Sequence, residues 1–132
     1  MPALSQILIF ISYFGAVFSL GLALLGLFAP TRAMKLVGLT PRADAPHAIS
    51  EVRATYGGVF FGVTAFALAT GNPIAFLALA SCWLCAMVAR IASIILDNNA
   101  NQHNLVSVGV EGSIGLAVAA PHFAIAQSLL GF

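Results

Sequence analysis

Charged residues are scarce in this sequence, and their scarcity argues against a soluble globular fold. The 132 residues include five basic and four acidic side chains, or 7% in all. A soluble domain typically carries about 25% charged residues, which cover its surface. Because 61% of the residues are hydrophobic and they run in long blocks, we expect lipid to be the main solvent of the folded chain.

Other groups that would indicate a function are also missing from the sequence. The net charge is +1 without a basic cluster, which argues against nucleic acid as a partner. The two cysteines, Cys82 and Cys85, lie inside an apolar segment, where we interpret them as small packing residues. No nucleophile motif, phosphate loop or metal-ligand spacing is visible, so we predict neither a metal site nor a cofactor.

Four apolar segments predict an all-α, polytopic membrane protein with a bundle of four transmembrane helices. A helix of roughly 20 apolar residues crosses the hydrocarbon core of a bilayer. Segments of that length cover about 6–28, 50–70, 74–96 and 105–130, and together they form a single domain over 1–132. We expect Ser50 to cap the second helix, and Pro121 to kink the fourth.

Basic loop residues predict the orientation of the bundle. Arg32, Lys35 and Arg42 lie in the loop 29–49, and the other connections and both tails have none. Excess Lys and Arg mark cytoplasmic loops, so we expect the loop 29–49 in the cytoplasm and both termini on the opposite side of the membrane. Within this loop, Thr31–Val37 is either a short interfacial helix or ordinary solvated chain.

Small residues at helical spacing predict how the helices pack. Apolar area alone does not join helices in lipid, whereas small residues allow their backbones to approach closely. Ala54, Gly58, Gly62 and Ala65 in the second segment are expected to form a stripe that faces the bundle. The candidate packing positions are five glycines: Gly57, Gly58, Gly62, Gly112 and Gly115. We expect tight packing rather than a cavity, and the possibility that one stripe faces a second chain stays open.

Arg90 and Glu111 are the most informative residues, because a charge inside a bilayer is costly. Arg90 precedes the end of the third segment by six residues, and Glu111 follows the start of the fourth by six. At 1.5 Å per residue, both lie roughly 9 Å below the same membrane surface. We therefore predict that they form an ion pair, with Glu51 as the alternative acceptor for Arg90.

The start of the second segment adds Glu51, Arg53 and Tyr56 to this predicted polar cluster. Glu51 is expected to face the bundle, and Arg53 to reach another helix, a lipid phosphate or water. Three interpretations stay open: a neutral clasp that fixes helix register, a pocket for a proton, ion or headgroup, and simple extension of the charges toward the membrane surface.

His122 is a weaker candidate for a ligand-binding residue. It lies on the face of Glu111, toward the opposite end of the fourth segment. A histidine in a membrane helix can ligate a porphyrin-type metal, but more often it makes a hydrogen bond to a neighbouring helix.

The stretch Ser50-Glu51-Val52-Arg53-Ala54-Thr55-Tyr56-Gly57-Gly58 resembles the signature of a bacterial family of small four-helix membrane proteins, the domain-of-unknown-function family 4345. In that family a start of the form E-x-R-x-x-Y-G-G in the second helix accompanies an Arg late in the third and a Glu early in the fourth. Arg90 and Glu111 fit this pattern. The resemblance implies a bacterial inner-membrane protein and supplies no substrate.

The sequence is compatible with three classes of function. We favour a non-enzymatic accessory or structural protein that associates with a larger membrane complex, because catalytic groups are lacking and the charges neutralise one another. The first alternative is an oligomeric small transporter or channel protomer. The second is a protein that binds or modifies a lipid through the polar cluster. The expected partners are membrane lipid and other membrane-protein subunits or a second copy of the chain.

Overall fold

A computed structural model describes residues 2–131 of the chain, and the described residues fold into helices joined by short connections. The helices are α1 (Pro2–Phe28), α2 (Pro30–Leu36), α3 (His47–Val52), a π-helix (Arg53–Val59), α4 (Phe60–Thr70), α5 (Pro73–Leu96), α6 (Gln102–Ala119), a 3-10 turn (Ala120–His122) and α7 (Phe123–Leu130). No strand occurs among these residues, which confirms the all-α prediction.

Four of these helical stretches are long and apolar enough to cross a membrane, as the sequence predicted. We call them spans 1 to 4, and they cover Ala3–Phe28, His47–Thr70, Pro73–Leu96 and Gln102–Ser128. Span 2 therefore consists of α3, the π-helix and α4. Span 4 consists of α6, the 3-10 turn at Pro121 and most of α7, so the regular helix is interrupted at the predicted proline.

The start of span 2 differs from the expectation. The helix begins at His47 directly after Pro46, whereas Ser50 was predicted as its cap. Ser50 instead lies inside the first turn, and its hydroxyl donates to the carbonyl of His47 at 2.8 Å. The loop before this helix holds α2, so of the two interpretations of residues 31–37 the short helix is the one that forms.

The four spans pack as a ring in which each contacts its neighbours along the chain, and span 1 also contacts span 4. The buried core lies toward the Gly71–Asn72 turn, where Ala16, Ala67, Phe76, Leu79 and Val118 meet. A buried hydrogen bond from the hydroxyl of Ser12 to the carbonyl of Val118, 2.8 Å long, ties span 1 to span 4 in this region.

Part of the predicted small-residue stripe is wrong, because Gly57 rather than Gly58 faces the bundle, and a π-helix precedes the regular part of span 2. A π-helix bonds residues five apart, so it shifts the register of all later side chains relative to an α-helix. The buried positions of span 2 accordingly pass from Val52 to Gly57, a step of five. A Cβ placed on Gly62 would meet nothing within 4 Å, and one on Gly58 would meet only the carbonyl oxygen of Arg53 in its own span. These two glycines do not pack against another described helix.

Gly57 and its counterpart in span 1, Gly26, make the closest helix contact. A Cβ on Gly57 would lie 2.7 Å from the backbone nitrogen of Leu27, and one on Gly26 would lie 2.8 Å from the nitrogen of Gly57. Spans 1 and 2 therefore touch backbone to backbone, which only glycine permits.

Spans 3 and 4 are joined through the other two predicted glycines. A Cβ on Gly112 would lie 2.8 Å from the sulfur of Met87, and one on Gly115 would lie 2.7 Å from Cγ of Leu84. The bundle thus holds two closely joined pairs of helices, spans 1 and 2 on one side and spans 3 and 4 on the other.

Candidate ligand cavity

A cavity of about 690 Å³ lies between the two helix pairs, in the half of the bundle farther from the Gly71–Asn72 turn. All four spans and α2 contribute side chains to it. This contradicts the expectation that small residues would pack the bundle without a cavity. They bring span 1 to span 2 and span 3 to span 4, but they do not bring the two pairs together at this level.

Trp83 forms the end of the cavity that adjoins the core. Its indole nitrogen donates to the hydroxyl of Ser19 in span 1 at 2.7 Å. Its ring also contacts Phe60 of span 2, with ring centroids 5.0 Å apart and planes tilted by 52°. One side chain of span 3 thus connects three spans and gives the cavity an aromatic floor. Leu22 and Leu25 of span 1 and Val110 of span 4 add further apolar walls.

Arg90 and Glu111 form the polar wall, and their contact confirms the predicted ion pair. Nε of Arg90 donates to both carboxylate oxygens of Glu111 at 3.0 Å, and Nη2 donates to Oε1 at 2.6 Å. The two side chains are 24% and 10% exposed. The guanidinium is therefore neutralised by a carboxylate from the adjoining span, in the bidentate geometry that makes such pairs strong.

Asn104, which was not among the predicted site residues, completes the polar wall. Its side-chain oxygen accepts from Nη1 of Arg90 at 3.3 Å, and its amide nitrogen donates to the carbonyl of Asn99 at 3.0 Å. Asn104 also belongs to the start of α6, where Asn101 caps the helix by accepting from the backbone nitrogen of Asn104. The cap of span 4 therefore fixes the position of the polar wall.

Spacing in the sequence contained a signal for the residues that were missed. Trp83 precedes Arg90 by seven residues, and Asn104 precedes Glu111 by seven. Seven residues make nearly two helical turns, so each pair lies on one helix face. Because Arg90 and Glu111 were predicted to face each other, Trp83 and Asn104 could have been predicted to lie beside them on the same helix faces.

The loop between spans 1 and 2 covers the polar end of the cavity. Ala33 and Leu36 of α2, with Val37 after it, line the cavity. The chain then turns at Gly38, which has a φ of 74°, a conformation that side-chain-bearing residues rarely adopt. A Cβ on Gly38 would lie 3.2 Å from Nε2 of His103, so the turn rests against the start of span 4.

The other residues of the predicted polar cluster do not join Arg90 and Glu111. Glu51 is exposed and makes no hydrogen bond or ion pair among the described residues, which contradicts its predicted orientation toward the bundle. It lines a separate surface groove with His47 and Met34. The reason is again the register of span 2, in which Val52 rather than Glu51 is turned inward.

Arg53 and Tyr56 lie between these two regions. Nε of Arg53 donates to the carbonyl of Leu27 at 2.9 Å, so this side chain caps the end of α1. Tyr56 is 43% exposed and lines both the cavity and the surface groove. Its hydroxyl makes no hydrogen bond within residues 2–131. Of the predicted cluster, the structure joins Arg90 with Glu111, and only Tyr56 borders the same cavity.

His122 lies outside the cavity, against the core. Its ring packs on Phe76, with centroids 5.3 Å apart, and its Nε2 is buried without a hydrogen-bond partner in the described part of the chain. The hydrogen bond to a neighbouring helix, which was the ordinary expectation, is therefore absent at this nitrogen. The described residues contain no cluster of metal-ligating side chains around it.

A comparison with protein families gives a match over the part of the chain that contains the cavity. Residues 6–120 match the family described as domain of unknown function (DUF4345). The chain belongs to this family. The matched residues run from span 1 to the first residue of the 3-10 turn, and they include every described residue that lines the cavity. No curated protein and no solved structure is significantly similar to the chain.

The cavity of this DUF4345 protein combines an apolar interior with one polar wall that carries no net charge. Its size lies within the roughly 300–1,000 Å³ that small-molecule sites usually have. The same combination of apolar walls and a few fixed polar groups is what orients a ligand in such sites. Chemically, the arrangement can bind a molecule with a polar head and an apolar body.

Proposed function

We propose that this protein is a small, non-enzymatic membrane protein that holds an amphipathic molecule in the cavity between its two helix pairs. The observation that carries the proposal is the 690 Å³ cavity with Trp83 at one end and the Arg90–Glu111 pair on its wall. The apolar body of the ligand lies against Trp83 and the leucines of span 1. Its polar head contacts Arg90 and Asn104.

The state of Glu111 favours binding over catalysis. A general base needs a carboxylate oxygen directed at the substrate. Both oxygens of Glu111 instead accept hydrogen bonds from Arg90. The cavity has no second acidic side chain among its described lining residues, so the acid and base pair that hydrolytic chemistry usually requires is not assembled there.

The location of the protein forms part of the proposal. Its four apolar spans support a membrane protein, and the resemblance to bacterial sequences supports a bacterial inner membrane. The basic residues Arg32, Lys35 and Arg42 favour a cytoplasmic position for the loop 29–49, which would put both termini in the periplasm. The polar end of the cavity, under α2, would then lie near the cytoplasmic leaflet.

Tryptophan fluorescence provides a direct test, because Trp83 is the single tryptophan of the chain and forms the floor of the cavity. The protein is purified in mild detergent, and small molecules that co-purify are extracted and identified by mass spectrometry. We expect a molecule in a fixed ratio to protein, and a shift of the Trp83 emission when that molecule is removed.

Two variants of span 3 make the test specific. Ala86→Phe fills the cavity that Ala86 lines, whereas Ala78→Phe adds the same ring at an exposed position outside the cavity. The first is expected to abolish co-purification and to change the emission, and the second to change neither. If both variants retain the same small molecules as the parent protein, the cavity is not a binding site.

Association with a larger membrane complex is the second candidate function, and one observation favours it. Gly62 and its neighbours Ala54 and Ala69 in span 2 are exposed, and nothing in the described chain lies against Gly62. Native purification tests this candidate. Stoichiometric co-purification of other subunits supports an accessory role, a homodimer supports the oligomeric transporter protomer, and a monomer that retains its small molecule contradicts both.

A further inference from the structure

We infer that the molecule held in the cavity is uncharged and presents an oxygen acceptor, of the ketone, quinone or ester kind, to Arg90. This inference rests on the proposed binding function and specifies its ligand class. Three features of the cavity carry it: the balance of its charges, the excess of hydrogen-bond donors on its polar wall, and its aromatic floor.

The charges of the cavity cancel before any ligand enters. Among the described residues that line it, the only Lys, Arg, Asp or Glu side chains are Arg90 and Glu111, and these are already paired. An anionic head would place a second negative charge beside the carboxylate of Glu111, and a cationic head would place a second positive charge beside Arg90. Beside an ion pair whose side chains are only 24% and 10% exposed, such an extra charge is costly, since it is incompletely solvated and has no partner. A neutral head avoids both costs.

The polar wall has donors to spare and few acceptors. A guanidinium carries five N–H groups. Nε uses its single N–H on Glu111, Nη2 uses one of two on Glu111, and Nη1 uses one of two on Asn104. One N–H on each Nη therefore has no acceptor among the described residues.

The neighbours of Arg90 add a further donor in Asn104 and a hydroxyl that can donate or accept in Ser107. The amide nitrogen of Asn104 donates one N–H to Asn99, which leaves its second N–H free. Ser107 also lines the cavity, and its hydroxyl makes no hydrogen bond within residues 2–131. A ligand oxygen without a charge satisfies these donors, whereas a ligand amine would add more donors to the same wall.

The shape of the apolar part favours a ring or an unsaturated body next to the oxygen. Trp83 and Phe60 present two ring systems tilted by 52° at the floor. Aromatic side chains pack well on other π-systems in tilted or offset arrangements. The leucine and valine walls above them accept a hydrocarbon chain.

A matched series of probes tests the inference in nanodiscs of phosphatidylcholine, with the Trp83 emission as the signal. The probes are dodecane, methyl decyl ketone, dodecyl sulfonate and dodecyltrimethylammonium, which have chains of similar length and differ in their heads. Each affinity is corrected for partitioning into empty discs. We expect the ketone to bind about tenfold tighter than each of the other three, as a hydrogen bond to a charged donor suggests.

Glu111→Gln is the decisive variant, because it keeps the shape of the side chain and removes its charge. Arg90 then lacks its counter-ion, so the sulfonate is expected to bind about tenfold tighter than the ketone and the order reverses. Arg53→Met removes a charge outside the cavity and is expected to leave the order unchanged. If Glu111→Gln does not fold, the double variant Arg90→Gln with Glu111→Gln replaces it, and its preference for the ketone over dodecane is expected to be weaker than that of the parent protein, because only uncharged donors remain.

The outcomes separate this inference from the proposed function. If the sulfonate or the ammonium probe binds best to the parent protein, or dodecane binds as well as the ketone, the ligand class is wrong while the cavity remains a binding site. If no probe changes the Trp83 emission and Ala86→Phe has no effect on it, the proposed function itself is wrong.

Discussion

Replacing Gly57 with alanine tests whether the backbone contact between spans 1 and 2 holds the bundle together. The added methyl group would lie 2.7 Å from the backbone nitrogen of Leu27, 2.9 Å from its Cγ and 3.0 Å from the carbonyl carbon of Gly26. Two of these three atoms belong to the backbone and cannot rotate away. The spans must therefore separate by several tenths of an ångström to accommodate the change.

The size of the effect follows from two opposing contributions. Overpacking a well-filled contact costs roughly 1–3 kcal/mol. Alanine is also a better helix former than glycine, by about 0.8–1.0 kcal/mol, which offsets part of that cost. Gly62→Ala is the matched control, since its methyl group would meet nothing within 4 Å and only the second contribution applies. Gly57→Ala is therefore expected to be about 1–3 kcal/mol less stable than Gly62→Ala.

Reversible unfolding in mixed micelles with increasing dodecyl sulfate measures this difference, with the emission of Trp83 as the signal. The emission of Trp83 depends on the folded bundle, because its indole donates a hydrogen bond to span 1 and its ring contacts span 2. Equal free energies of unfolding for the two variants would refute the argument, since they would mean that spans 1 and 2 are not in backbone contact at Gly57.

Three further predictions use the same unfolding measurement. Arg90→Ala is expected to destabilise the protein by about 3–5 kcal/mol because it leaves Glu111 unpaired, and the double variant Arg90→Ala with Glu111→Ala is expected to recover part of the loss. A double variant no more stable than the single one would argue against the direct pair. Ser19→Ala removes the acceptor of the Trp83 indole and is expected to cost about 1–3 kcal/mol with a shifted emission maximum, and an unchanged maximum would contradict the hydrogen bond. Arg53→Met removes the donor to the end of α1 and is expected to cost about 1 kcal/mol, less than Arg90→Ala because water can replace an exposed donor.

The spans could be predicted from the sequence because their signal is local. The length of each apolar run and the turn at Gly71 fix where a helix begins and ends, almost independently of the remaining chain. The Arg90–Glu111 pair was also predictable, since equal depth on two helices joined by a short loop brings the two charges together. Both inferences needed only the rise of a helix and the cost of a buried charge.

The packing of span 2 could not be predicted in the same way. Counting at α-helical spacing from Gly58 to Gly62 assumes that every residue turns the chain by the same angle. At 100° per residue, Gly62 and Glu51 lie about 140° and 120° from Gly57, so both point away from the bundle because Gly57 faces it. The π-helix at Arg53–Val59 changes which earlier residue shares the face of Gly57, and that residue is Val52. Apolar composition contains no signal for such a change in hydrogen bonding.

The cavity was missed for a different reason. Whether four helices enclose a space depends on the distance between helix pairs, which is set by several contacts at once. Glycines draw the spans together within each pair, whereas the large side chain of Trp83 makes the contact between the pairs, and α2 lines the end of the space beyond it. Each of these residues is visible in the sequence, but their combined effect is not.

The π-helix also constrains which insertions and deletions span 2 tolerates. Loss of a single residue within Arg53–Val59 would let the backbone return to α-helical hydrogen bonding, at no cost in local geometry. Val52 and Gly57 would then stand four residues apart, which is the α-helical spacing of a single face, so both would still face the bundle. Loss of one residue from Phe60–Thr70, which is α-helical already, would instead rotate the two sides of the deletion by about 100° relative to each other. Span 2 is therefore expected to tolerate a shorter chain at the π-helix better than in the regular helix that follows it.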